Sequence, residues 1–223
     1  MEAVLLSLGV SLAATLLSLP VSILAAWYLE RSRGPARGVV QTLIMMPLVL
    51  PPVVVGYLLL GLFSPRGALG RALAAAGMPV AFHWLGAVVA AAVVGFPLFV
   101  MMIAQAMKGV DPRLEVVSRS LGRTRWGTFF RVTLPLSWPG LLSGAALAFG
   151  RGLGEFGATI ILAGRIPGET ETIPLAIYAR LESPGGEREA GILVAAAVVL
   201  CLAAVVASRV LDRWHRSRLE LDR

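Results

Sequence analysis

The sequence predicts an all-α integral membrane protein of five transmembrane helices, with a short extra helix on one basic loop. Three observations point there. Of the 223 residues, 57% are hydrophobic and 15% charged, with a mean hydropathy of +0.79. Soluble domains are nearer half apolar and a quarter charged. The apolar residues gather into five runs, each able to cross a hydrocarbon core that takes about 20 residues of helix. Lys and Arg collect in the gaps on one side of those runs, the asymmetry that orients membrane helices.

The runs cover about 5–29, 39–63, 84–107, 136–163 and 190–211 within a single domain of residues 1–223. The first is expected to be a retained span. It is preceded by Glu2 where a signal peptide carries Lys or Arg, and it exceeds an h-region of about 7–15 residues. The second holds Pro47, Pro51, Pro52 and Gly56, so a kink is expected there. In the third, Gly95-Phe96-Pro97 is expected to make a similar break. The fourth is crowded with Gly140, Gly144, Gly150, Gly154 and Gly157. Two G-x-x-x-G spacings among them read as a close-packing face.

With five spans, residues 30–37, 108–135 and the tail share one side and carry fourteen Lys and Arg. Residues 64–83 and 164–189 carry five, and Arg151 lies inside a span. The rich side is expected to be cytoplasmic, with the N-terminus outside and the C-terminus inside. The net charge of +7 and the pI of 10.9 then express topology and not nucleic-acid binding. Cys201 is the single cysteine, which excludes an intrachain disulfide, and with His83 and His215 it forms no zinc spacing. The single lysine, Lys108, is followed by Gly109 and Val110, so no phosphate-cradling G-K-[ST] loop exists. The chain is expected to bind neither metal nor nucleotide and to catalyse nothing.

Five arginines stand between Asp111 and Pro135, in "DPRLEVVSRSLGRTRWGTFFRVTLP". Asp111 can cap a helix that Pro112 starts, and Gly122 can end it. Leu114, Val117 and Leu121 recur at i, i+3 and i+7, one apolar stripe on a helix too short to bury it. On these residues alone the stripe either lies in the lipid interface or docks into another protein.

A Glu at 115, a Gly seven positions later at 122, and Val132, Leu134 and Pro135 closing the loop resemble the cytoplasmic loop signature of bacterial ABC importer permeases. The paired alanines usual after that Glu are here Val116, Val117 and Ser118. "LPPVVVGYLLL" at 50–60, "RGLGEFGATI" at 151–160 and "IPGETETIPLAIY" at 166–178 extend the resemblance over nearly the whole chain, and towards molybdate permeases in particular. The resemblance implies the type I importer permease fold in a bacterial inner membrane, working as a homodimer. It also implies two cytoplasmic ATPase subunits that hold ATP and Mg, an external binding protein, and an oxyanion substrate. Asp111, Leu114, Glu115, Val117, Ser118, Leu121, Gly122, Leu134 and Pro135 would form the coupling element seated on the ATPase. Sulfate and tungstate permeases are close relatives in kind.

Three readings of Arg151 and Glu155 stay open. Arg151 faces the pathway and favours an oxyanion, or pairs with Glu155 to hold the bundle, or snorkels to the cytoplasmic interface. Gly150, Gly154, Gly157, Pro51 and Pro52 belong with them as pathway or packing residues. Loop 164–189 is either a landing surface or a solvated loop, and 172–181 is expected to lie along the membrane surface. Rival readings are an ATP-independent anion transporter, though no internal repeat marks the halves, and an interfacial assembly subunit whose basic loop binds anionic lipid.

Overall fold

The computed structural model describes residues 2–221, with side chains except those of Ala68 and residues 212–221. His215 and the tail arginines Arg213, Arg216, Arg218 and Arg223 thus lie outside the described side chains. Every regular element among the described residues is helical.

Helix α1 (Glu2–Arg31) crosses as one rod. The second span does not. Its two halves, α2 (Pro35–Val49) and α3 (Pro52–Phe63), meet at 113°. Pro51 and Pro52 lack the N–H groups that would continue the ladder, and the Pro51 carbonyl instead accepts Val54 N–H to start α3. A short helix, α4 (Ala68–Ala75), follows in what the sequence reads as a plain loop; its Ala and Leu content favours helix.

Helix α5 (Trp84–Lys108) corrects one expectation, because it runs unbroken through Gly95-Phe96-Pro97. Pro97 is buried there, so packing from both sides holds the helix through a residue that would open it in isolation. Next come α6 (Pro112–Ser120), α7 (Arg125–Thr128), a π-helical turn over Phe129–Thr133, and α8 (Leu134–Leu153). The last three form one continuous helix from Arg125 to Leu153, so the span starts well before residue 136. The π turn has a cause. Leu134 N–H reaches back five residues to Phe129 O, and this wide turn relieves the clash of the Pro135 ring with the preceding carbonyls.

The fourth span also ends early. It stops at Leu153 and resumes as α9 (Gly157–Leu162), so residues 136–163 are two helices and not one. Gly150, Gly152, Gly154 and Gly157 lower helix propensity at this point. Helix α10 (Ile173–Leu181) turns Ile173, Leu175, Ala176 and Ala179 inward onto α1 and the final helix, α11 (Glu187–Leu221). One apolar face of it therefore meets protein, while Tyr178 and Leu181 stay exposed.

Helix α5 is the hub, packed between α1 and α8, with α11 on the far side of α8. Phe99, Val100, Ile103 and Met107 of α5 are buried with Ala26, Leu29, Phe129 and Leu141. Small residues allow these approaches. A Cβ on Gly140 would fall 2.2 Å from Ala106 Cβ, and one on Gly144 would fall 3.0 Å from Met102 Cβ. The packing face read from the glycines is there, except at Gly154, whose Cβ would meet nothing nearer than Arg151 O at 3.9 Å. Ser7, Ser11 and Thr15 form a buried polar stripe on α1, with Ser7 Oγ accepting Ile173 N–H at 2.7 Å.

Candidate functional site

Asp111 Oδ1 accepts Arg113 N–H at 2.8 Å, and Pro112 follows as the first residue of α6. Gly122 ends the helix at φ +83°, a left-handed conformation that side chains rarely adopt. The nine-residue helix has two unlike faces. Leu114, Val117 and Leu121 are 47%, 57% and 77% exposed, and Val116, on another side of the helix, is exposed too. Glu115 and Ser118 are buried, turned towards the body of the protein.

The buried pair holds the helix in place. Thr133 Oγ1 donates to Glu115 Oε1 at 2.6 Å, and the Arg31 guanidinium at the end of α1 pairs with the same carboxylate. Ser118 Oγ and Thr128 Oγ1 share a hydrogen bond of 3.1 Å. The helix is thus anchored through polar contacts while its apolar stripe stays open. Burying the stripe against a partner would contribute about 3–5 kcal/mol, taking about 1.5–3 kcal/mol for each fully buried Leu or Val and discounting what is already covered.

Of the nine loop residues singled out in the sequence, Leu114, Val117 and Leu121 face outward, Glu115 and Ser118 face the body, and Asp111 and Gly122 cap the ends. Leu134 packs on the main core and Pro135 lies at the start of α8. Sequence reasoning missed Arg31, Thr128 and Thr133. No spacing signals the first, which is 84 residues from Glu115.

At the other end of α8, Arg151 Nη1 lies 2.9 Å from Glu155 Oε2. Their side chains are 34% and 2% exposed. Glu155 sits in the break and not on the same helix, and its Oε1 accepts Ala158 N–H at 2.9 Å, capping α9. Both carboxylate oxygens are therefore engaged. Arg151 occupies the last turn of α8, at the end opposite the basic loop.

The two broken spans meet at their breaks. A Cβ on Gly157 would lie 2.8 Å from Pro52 Cβ, and one on Gly56 would lie 2.8 Å from Ala158 Cα. Gly150 faces Ala204 of α11. Pro51, Pro52, Gly157, Arg151 and Glu155 thus belong to one joint between α3, α8 and α9. The sequence shows each break but not their contact.

Unbroken spans around a jointed pair, with an anchored helix offering an apolar stripe, make this a multi-pass membrane protein with one apolar surface left open at its basic end. The chain belongs to the family described as "Binding-protein-dependent transport system inner membrane component", whose pattern matches residues 18–220. It is 49% identical over 218 residues to the molybdenum transport system permease protein ModB of Escherichia coli (strain K12), covering 97% of this chain and 95% of that protein. It is 42% identical over 219 residues to ModB of Haemophilus influenzae, covering 98% and 96%. To the sulfate transport system permease protein CysT of Escherichia coli (strain K12) it is 39% identical over 181 residues, covering 80% and 65%.

In fold it is similar to a chain of the inward-facing methionine ABC transporter MetNI, with a TM-score of 0.71 at 16% identity over 96% of this chain and 94% of that one. A bacterial ABC transporter that imports alginate gives a TM-score of 0.68 at 24% identity over 97% and 78%. The fold is that of a type I ABC importer permease.

Proposed function

We propose that this chain is the permease of an ATP-driven molybdate importer, working as a homodimer with two ATPase subunits and an external binding protein. The observation that carries the reading is the anchored α6 with its open stripe of Leu114, Val117 and Leu121. That stripe fits a groove on a motor subunit, and it leaves the chain no need for a nucleotide site of its own. ATP and Mg belong to the partner, and the chain contributes the pathway and no chemistry.

The Lys and Arg distribution supports a cytoplasmic basic end, with the N-terminus outside and the C-terminus inside. ATP binding draws the ATPase subunits together, their motion passes through α6, and the spans open outward to receive the oxyanion. Hydrolysis returns them inward. Likeness to ModB over nearly the whole of both chains supports molybdate as the cargo. Sulfate is the second reading, supported by the likeness to CysT over less of each chain; tungstate, as another tetrahedral dianion, stands beside it.

The test is uptake into proteoliposomes that hold the chain with its ATPase and binding protein. ATP-dependent molybdate uptake that excess sulfate fails to suppress is expected. Uptake without ATP would overturn the mechanism, and suppression by sulfate would overturn the cargo.

A further inference from the structure

The inward side of α6 borders a cleft of about 360 Å³ between the end of α1 and the loop helices. Its lining includes Arg31, Arg33, Arg119 and Arg125, with Trp27 and Phe129 as apolar wall. Glu115 is the single acid among the lining residues, and it is engaged by Arg31 and Thr133. Among the described residues, none of Arg33, Arg119 and Arg125 has a carboxylate within 4.0 Å, so the cleft carries net positive charge with three arginines uncompensated.

We propose that this cleft holds the phosphodiester headgroup of an anionic phospholipid. Guanidinium groups present forked donors that match phosphate oxygens in pairs. The volume is that of about a dozen water molecules, enough for a phosphodiester and its first waters. The site lies at the C-terminal end of the α1 span, beside the basic loop, and Trp27 packs tilted against Trp126 at a centroid distance of 4.5 Å, an aromatic pair of the kind enriched at membrane interfaces.

The choice of a lipid over a segment of the ATPase follows from helix geometry. At 3.6 residues per turn, Glu115 and Arg119 point roughly 150° away from the centre of the Leu114, Val117 and Leu121 stripe. A partner seated on the stripe meets the opposite face of α6, which leaves the cleft turned back towards the membrane. The protein-docking and lipid-binding roles of the basic loop are then carried by two sides of one helix. The inference is independent of which oxyanion is transported.

The experiment titrates delipidated complex of permease and ATPase with phosphatidylglycerol or phosphatidylcholine and reads bound lipid by native mass spectrometry. Phosphatidylglycerol is expected to bind at least ten-fold more tightly. Arg33→Gln with Arg125→Gln, at two arginines without ion-pair partners, is expected to weaken it about thirty-fold, from about five-fold per arginine near an anionic surface. Arg33→Lys with Arg125→Lys keeps most of the affinity, and Arg113→Gln, outside the cleft, leaves it unchanged. Equal phosphatidylglycerol affinity in the Gln double variant and the wild type would overturn the proposal. Displacement of the lipid by excess inorganic phosphate would overturn it in favour of a free-oxyanion site. Binding to permease alone that is lost when the ATPase is added would overturn it in favour of a protein segment.

Discussion

Replacing Arg151 by methionine keeps most of the side-chain length and removes the guanidinium 2.9 Å from Glu155. What remains is a carboxylate whose side chain is 2% exposed, with one surviving partner, the Ala158 N–H. Breaking a buried pair from one side costs about 3–5 kcal/mol, because the other charge is left without compensation. For a chain of this size that is a fall of roughly 6–20 °C in Tm, at about 2–4 °C per kcal/mol. The double variant Arg151→Met with Glu155→Gln loses both charges and keeps an amide oxygen to cap α9. It is expected to recover most of the loss, since replacing a buried pair by neutral groups is often near neutral. The assay is thermal unfolding of the purified permease in detergent, followed by tryptophan fluorescence, for wild type, both single variants and the double. A brace between α8 and α9 predicts strong positive coupling in that cycle. An Arg151→Met protein with wild-type Tm and a changed apparent affinity for the oxyanion in uptake would refute the brace and make Arg151 a pathway residue.

Two further outcomes separate backbone from packing effects. Gly122→Val places a β-branched residue at φ +83° with nothing within 4 Å of its Cβ, so the cost is conformational, about 1–2 kcal/mol, and falls on the end of α6. Co-purification with the ATPase and uptake should both drop while membrane insertion persists, and Gly122→Asn should retain more of each, because Asn tolerates that conformation; wild-type uptake in the Val variant would count against α6 as the docking element. Gly140→Ala drives a methyl into Ala106 at 2.2 Å and should cost about 1–3 kcal/mol, whereas Gly154→Ala meets only Arg151 O at 3.9 Å and should stay within about 0.5 kcal/mol in the same unfolding assay.

How much of this was legible in the sequence depends on the range of the interaction. Span number, the cap at Asp111 and the stop at Gly122 are set by residues within a turn or a span of one another, and all are found where the local pattern puts them. Proline is the instructive case, since the same residue type gives three outcomes. Pro51 and Pro52 break their span, and Pro135 is absorbed by a π turn. Pro97 leaves α5 continuous, because buried neighbours on both sides hold the helix together. Local chemistry says that a carbonyl is freed, but only tertiary packing decides whether the helix opens. The same limit hides Arg31 from Glu115 and Pro52 from Gly157, pairs that no periodicity connects.

These hidden contacts follow one rule. In lipid, irregular backbone survives only where protein encloses it and side chains replace the lost ladder partners. Each break therefore needs a second element beside it, and here the two breaks serve one another, Gly157 admitting Pro52 while Glu155 caps the restart of α9. Helix α6 is fixed to the opposite end of the same α7–α8 helix, through Ser118 to Thr128 and Glu115 to Thr133. One continuous helix, Arg125–Leu153, therefore links the anchors of α6 to the joint beside Arg151.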